Sequence, residues 1–392
     1  MHLAKRIINV APSATLAVSN LTKQMKARGE DVIDLSIGQP DFKTPEHIEQ
    51  AAIQAIHDNL TSFYTPAVGI LPLREAIADH IEAQTKVRYD PKQIVVTTGA
   101  KFALYALFQV LMDPGEEVLI PIPGWVSYVE QVRLAGATPR PVLAKSHFKV
   151  TVDELEAQRT PKTRALIINS PQNPTGAVYT RQELTLIGNW ALKHDILVVA
   201  DDIYRDLIYN GASYTSMIEI DPQVTANTVL ISGVSKSYAM TGWRVGFMAG
   251  PEKIINAVAT MLSHATGNVT AVAQYAALAA FRDDQTPVES MRQAFEERLN
   301  AVYDRLVQLP GFTLEDKPQG AFYLFPNVRR AAQLTNYGSV DDFISSLLEE
   351  TGVALVPGRA FGMPEHARLS YANDMDSLMT ALDRIAAFVG NN

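Results

Sequence analysis

Short apolar runs rich in β-branched residues recur along the middle of the chain, and helix-length stretches separate most of them. They fall at Ile94 to Thr97, Val118 to Ile120, Ala165 to Ile168, Ile196 to Ala200 and Val229 to Ile231. A strand that is apolar without alternation leaves no face for water, so helices must cover it on both sides. Lys101 to Met112, closed by Asp113-Pro114-Gly115, and Arg181 to His194 carry apolar residues at helical period and suit that task. The pattern predicts an α/β fold with a mostly parallel sheet and helices on both faces; Val245 to Ala249 could add a further strand. Toward the chain ends the pattern changes. A long helix from Val288 to Leu309 is followed by short strands near Ala321 to Phe325 and Val353 to Val356. We therefore expect residues 45–290 to form a large domain, and 1–44 with 291–392 to form a smaller α+β domain from both ends.

Composition narrows the partners. The balance of 34 basic and 42 acidic residues leaves a net charge of −8, which speaks against binding to a phosphate backbone, and no basic recognition helix precedes the α/β region. Without cysteine there is no disulfide, thiolate metal site or thiol nucleophile. The eight histidines show no paired ligand spacing, so no metal is expected. Asn9, Pro12 and Ser13 interrupt the first apolar stretch, and no later run approaches the ~18 residues of a membrane span, so we expect a cytoplasmic protein without signal peptide or membrane anchor. Neither a P-loop nor a G-x-G-x-x-G is present.

In an open parallel sheet, ligands bind beyond the carboxyl ends of the strands. Here those ends run into Thr98-Gly99-Ala100-Lys101, Pro121-Ile122-Pro123-Gly124-Trp125, Asn169 to Gly176, Asp201-Asp202-Ile203-Tyr204 and Ser232-Gly233-Val234-Ser235-Lys236. Small residues at a helix start suit a phosphate, an aromatic suits a flat ring, and an Asn and a Tyr suit its polar edge. A buried acid and a lysine complete the set. Pyridoxal 5'-phosphate answers every part of it. Lys236 would form the Schiff base and then move the α-proton, Asp201 would pair with the pyridine nitrogen, Trp125 would stack, and Ser235 with Arg244 would hold phosphate beside Gly99, Ala100 and Lys101.

The segment Ser235-Lys236-Ser237-Tyr238-Ala239-Met240-Thr241-Gly242-Trp243-Arg244-Val245-Gly246 strongly resembles the lysine signature of class I and II aminotransferases, fold-type I pyridoxal phosphate enzymes. The resemblance runs nearly end to end, through Gly38-Gln39-Pro40-Asp41-Phe42, Tyr64-Thr65-Pro66, Asn173-Pro174-Thr175-Gly176, Gly320-Ala321-Phe322-Tyr323 and Arg368-Leu369-Ser370-Tyr371-Ala372. It implies that Arg368 grips the substrate α-carboxylate with help from Gly38, and that Asn173 and Tyr204 bond the cofactor's phenolic oxygen. It also implies a homodimer with shared active sites, Tyr64 reaching the phosphate of the neighbouring subunit, and an amino acid and a 2-oxo acid as substrates.

Pro12-Ser13-Ala14-Thr15, Lys101 and Trp125-Val126-Ser127-Tyr128 resemble the bacterial aspartate aminotransferase subgroup. In that subgroup a lysine at the place of Lys101, with hydroxyls at the places of Ser13 and Thr15, meets the distal carboxylate of the donor. The implied reaction is aspartate plus 2-oxoglutarate to oxaloacetate plus glutamate by a ping-pong mechanism. An aromatic, alanine or prephenate-type aminotransferase, or a β-lyase, would share the scaffold. Asp202, Gln39, Gly124 and Ala100 depart from the commoner family residues, and Arg359 either adds charge near the substrate or is exposed.

Overall fold

The computed structural model describes residues 3–8 and 10–390. Asn9, used above, lies outside them, as does His2, the first of the eight histidines. The central sheet has seven strands: β1 (Ile94–Thr97), β2 (Glu117–Ile122), β3 (Thr138–Leu143), β4 (Thr163–Asn169), β5 (Leu197–Asp201), β6 (Thr228–Gly233) and β7 (Gly246–Ala249). They lie in the order β1-β7-β6-β5-β4-β2-β3. Only β7 runs against its neighbours; the other pairs are parallel.

β3 is absent from the sequence reading. Its residues Thr138-Pro139-Arg140-Pro141-Val142-Leu143 are neither an apolar run nor a clean alternation. It pairs with β2 alone, at the sheet edge, where a proline without an N–H forfeits no ladder bond.

Successive side chains of a strand point to opposite faces, so each apolar run feeds two cores at once. Val118, Ile120, Ala165, Ile167 and Val199 pack with Ala103, Leu104 and Leu107 of helix Ala100–Leu111 and with Ile255 and Val258 of helix Glu252–Ala265. Leu119, Leu166, Ile168, Val198 and Ala200 pack instead with Leu184, Ile187, Trp190 and Ala191 of helix Arg181–Lys193. That helix starts where its sequence says it should: Thr180 accepts from the Glu183 amide, and Glu183 reaches back to the Thr180 N–H.

Away from this sheet, helix Thr286–Leu306 buries Met291, Phe295, Leu299, Val302 and Leu306 at helical spacing against Phe322, Leu369, Leu382 and Leu35. Ile33–Asp34 pairs in parallel with Val353–Ala354, which brings an early and a late part of the chain together. A three-stranded antiparallel sheet places Ala367–Ser370 between Val356–Pro357 and Tyr323–Leu324.

Register decides what this frame presents. Asn169 lies level with Asp201, and Asp201 level with Ile231, so the ends of β4, β5 and β6 open at one height.

Candidate active site

Beyond those ends lies a cleft of about 450 Å³. Lys101, Trp125, Asn173, Asp201, Tyr204 and Ser235 line it, together with Ala100, Lys236, Arg244 and, from segments distant in sequence, Thr15, Gly38 and Arg368.

Lys236 is the third residue past the end of β6, and its Nζ donates to the Gly38 carbonyl at 2.6 Å. Its ammonium lies 5.6 Å above the Tyr204 ring and 5.7 Å above Phe322. Burial, then the positive charges of Arg368 and Arg244, bring its pKa down to about 7.

Asp201 ends β5 as a buried carboxylate. Tyr128 donates its hydroxyl to Oδ2 at 2.6 Å, and the Ile203 amide donates to Oδ1 at 3.3 Å. Desolvation pushes the carboxyl up to about 6 against these two bonds and against Lys236, all of which favour the anion. The contact of Tyr128 with this acid is not legible in the sequence, where nothing links residue 128 to residue 201. Its position three after Trp125, on the start of helix Ser127–Leu134, is the only signal.

Asn169 organises the neighbouring loop. Its Nδ2 donates to the Asp201 carbonyl at 2.8 Å and its Oδ1 accepts from the Asn173 amide at 2.9 Å. The Asn173 side chain meets Arg368, whose Nη1 donates to Asn173 Oδ1 at 3.0 Å while Nη2 donates to the Ser36 carbonyl at 2.7 Å. Arg368 lies 4.4 Å from the Tyr323 ring centroid, and its Nε has no hydrogen-bond partner although it is buried. Tyr204 and Tyr323 share a hydroxyl bond of 2.9 Å, and a Cβ on Gly38 would stand 2.8 Å from the Tyr323 hydroxyl, so only glycine lets the chain pass this close.

The start of helix Ala100–Leu111 forms the opposite wall. Gly99 caps it at φ +80°, and a Cβ there would stand 2.4 Å from the Arg244 guanidinium. Arg244 itself donates to the Thr241 carbonyl at 2.8 Å. Free N–H groups, a helix dipole and a guanidinium thus face one spot, which is what a phosphate requires. Lys101 sits 5.0 Å over the Trp125 ring, and burial followed by the charge of Arg244 lowers its pKa.

Three sequence candidates stand apart. Ser13 is not among the lining residues: its hydroxyl accepts from the Leu16 amide at 3.4 Å as the cap of helix Ala14–Ala27 and bonds Thr15 Oγ1 at 2.9 Å. Tyr64 is 98% exposed and is not among the residues that line the cleft. Arg359 is resolved in favour of exposure, pairing with Asp341 at 2.8 Å outside the cleft. Asp202 is buried behind the site, where desolvation pushes its carboxyl up to about 6.

The residues fit the phosphate-bearing ring expected from the sequence. The partnerless Arg368 Nε and the cradle at Gly99 are both places where an anion satisfies groups that the protein leaves open.

Comparison with known proteins gives the same picture. The family described as aminotransferase class I and II matches residues 30–385. An aspartate aminotransferase of Geobacillus stearothermophilus is 53% identical over 391 residues, 99% of each chain. An asparagine–oxo-acid transaminase of Streptococcus mutans is 50% identical over 389 residues, again 99% of each. Among solved structures, the aspartate aminotransferase from Rhizobium meliloti superposes with a TM-score of 0.94 at 35% identity, over 100% of this chain and 99% of that one.

Proposed function

The chain belongs to the class I and II aminotransferases, pyridoxal phosphate-dependent enzymes, and from that premise we propose that it moves the amino group of aspartate to 2-oxoglutarate in a ping-pong cycle. The observation that carries this reading is a pair of cations in one cleft, Arg368 deep within it and Lys101 over Trp125. A dicarboxylate entering a dry site needs a positive partner for each end.

Pyridoxal phosphate supplies a ring that withdraws electrons and so makes an α-proton acidic. Lys236 would hold the cofactor's aldehyde carbon and would carry the proton at the substrate α-carbon; a pKa near neutrality suits a group that must both take and return it. Asp201 holds the ring nitrogen, and pairing with a cation there favours the anion that burial alone disfavours. Asn173 and Tyr204 would hold the ring oxygen, Trp125 would stack, and Ser235 and Arg244 would hold phosphate with the amides of Ala100 and Lys101; the Gly99 N–H is already taken by the Thr97 carbonyl at 2.7 Å, so Gly99 contributes the open turn and not a donor. Arg368, braced by Asn173 and Ser36, takes the α-carboxylate with Gly38. Lys101, with Thr15, takes the distal one, and Ser13, outside the lining, acts there only through its bond to Thr15 Oγ1.

We read residues 45–290 as the cofactor-holding domain and 1–44 with 291–392 as the smaller one, and a cytoplasmic homodimer as the working unit. Support for the dimer is the tip at Phe63 and Tyr64, 80% and 98% exposed, an aromatic pair that a lone chain would leave in water. Tyr64 would complete the phosphate site of the second copy. Among the described residues no helix is long and apolar enough to cross a membrane.

The test is a half-reaction. Holoenzyme is mixed with aspartate, glutamate, asparagine, alanine or tyrosine, and the loss of the cofactor's long-wavelength absorption is followed. Lys101→Ala should slow aspartate roughly 10- to 150-fold, the worth of a charge-assisted hydrogen bond at ~1.5–3 kcal/mol, and leave alanine unchanged. Equal loss on both donors would sink the role of Lys101. A preference for asparagine would move the donor to that of the streptococcal relative.

A further inference from the structure

Five basic side chains line the cleft, Lys23, Lys101, Lys236, Arg244 and Arg368, against a single carboxylate, Asp201. The whole chain carries −8, so the sign of charge is inverted locally. Four of those side chains have work in the proposed reaction. Lys23 has none.

Lys23 lies on helix Ala14–Ala27, which presents Thr15, Leu16, Ser19 and Lys23 to the cleft. The sequence of that helix holds Lys23 and Lys26 and no Asp or Glu. Lys23 is exposed and, among the described residues, makes no ion pair and no side-chain hydrogen bond. Its charge is therefore not cancelled by a neighbour, and a cleft lined mostly by one sign of charge focuses such a field toward its opening.

We propose that Lys23 is an entrance charge that favours anionic substrates in proportion to their net charge, raising the local concentration of doubly negative oxo acids most. This rests on the dicarboxylate reading above. Lys23 touches no reacting atom in this role, so it acts on capture and leaves the turnover of bound substrate alone.

The experiment compares wild type with Lys23→Gln, Lys23→Arg and Lys23→Glu as holoenzymes. Three second-order rate constants are measured: doubly negative 2-oxoglutarate, singly negative aspartate and zwitterionic alanine. At low salt, Lys23→Gln should lower the constant for 2-oxoglutarate about three- to tenfold, that for aspartate about two- to threefold and that for alanine not at all, in line with modest electrostatic steering. kcat should stay constant, Lys23→Arg should match wild type, and Lys23→Glu should exceed the losses of Lys23→Gln. Raising salt to roughly 300 mM, where screening acts within about 6 Å, should shrink the losses below about twofold. Calorimetric binding of unreactive succinate should weaken in parallel, which gives a readout apart from turnover.

Equal losses for all three substrates, losses that high salt leaves intact, an Arg variant as poor as Gln, or no loss at all would each overturn the proposal. If unmutated protein reacts no faster with aspartate than with alanine, the dicarboxylate reading itself has failed, and wild type alone reveals it.

Discussion

Asp201 is a carboxylate that the fold buries before any cation pairs with it. With a pKa pushed up to about 6, it keeps its proton in the cofactor-free protein to higher pH than in the unfolded chain, where it titrates near 3.8. The unfolded state therefore loses its proton first as pH rises. Burial of this group costs stability progressively from about pH 4 to 6 and in full above that. Tyr128 offsets part of the cost through its 2.6 Å bond. Tyr128→Phe should raise the Asp201 pKa further and weaken cofactor binding at neutral pH roughly tenfold or more, on the scale of one charge-assisted bond at ~1.5–3 kcal/mol. Cofactor titration of the apoenzyme across pH measures both effects. An unchanged affinity and pH profile would show that the bond does nothing for the acid.

At the scale of elements, the loop into helix Ala100–Leu111 is shaped by one residue. Gly99 takes φ +80° and leaves room for Arg244 where a methyl would stand 2.4 Å from the guanidinium. Gly99→Ala should cost ~1–2 kcal/mol of stability for the strained backbone. The guanidinium is the far end of a flexible side chain, so it should swing away rather than unfold the strand behind it. Cofactor affinity should then fall by roughly tenfold or more, about the loss of a charged phosphate contact, while thermal unfolding moves only a few degrees. A large drop in melting temperature with unaltered affinity would contradict this division.

At the scale of the whole molecule, the homodimer proposed above, with Tyr64 of one copy completing the phosphate site of the other, makes a prediction that no single chain can satisfy. Lys236→Ala homodimers lack the amine, and Tyr64→Ala homodimers lack the hydroxyl offered across the interface. Mixed under conditions that exchange subunits, they should form hybrids in which one site carries both lesions and the other carries neither. Activity should rise on mixing toward that of one intact site per hybrid. If exchange is verified by mass and activity does not rise, Tyr64 serves its own chain or none.

What the sequence determined follows from local physics. Unalternating β-branched runs such as Ile196 to Ala200 are too short for a helix and suit a strand buried on both faces, and the strand found, Leu197–Asp201, lies one residue on. Thr180 and Glu183 marked a helix start, and the twelve residues around Lys236 identified the cofactor chemistry. Other features depend on contacts between residues far apart along the chain. The edge strand Thr138–Leu143 exists because β2 offers a free side, and its prolines conceal it from any rule of pattern. Tyr128 meets Asp201 across 73 residues, Asn173 meets Arg368 across 195, and Lys23 reaches the cleft only because an early helix folds over the carboxyl ends of later strands. Sequence encodes which groups are present and which local shapes they prefer. The distances that set a pKa, leave a guanidinium nitrogen open or aim a free charge arise only when the sheet brings those groups to one edge.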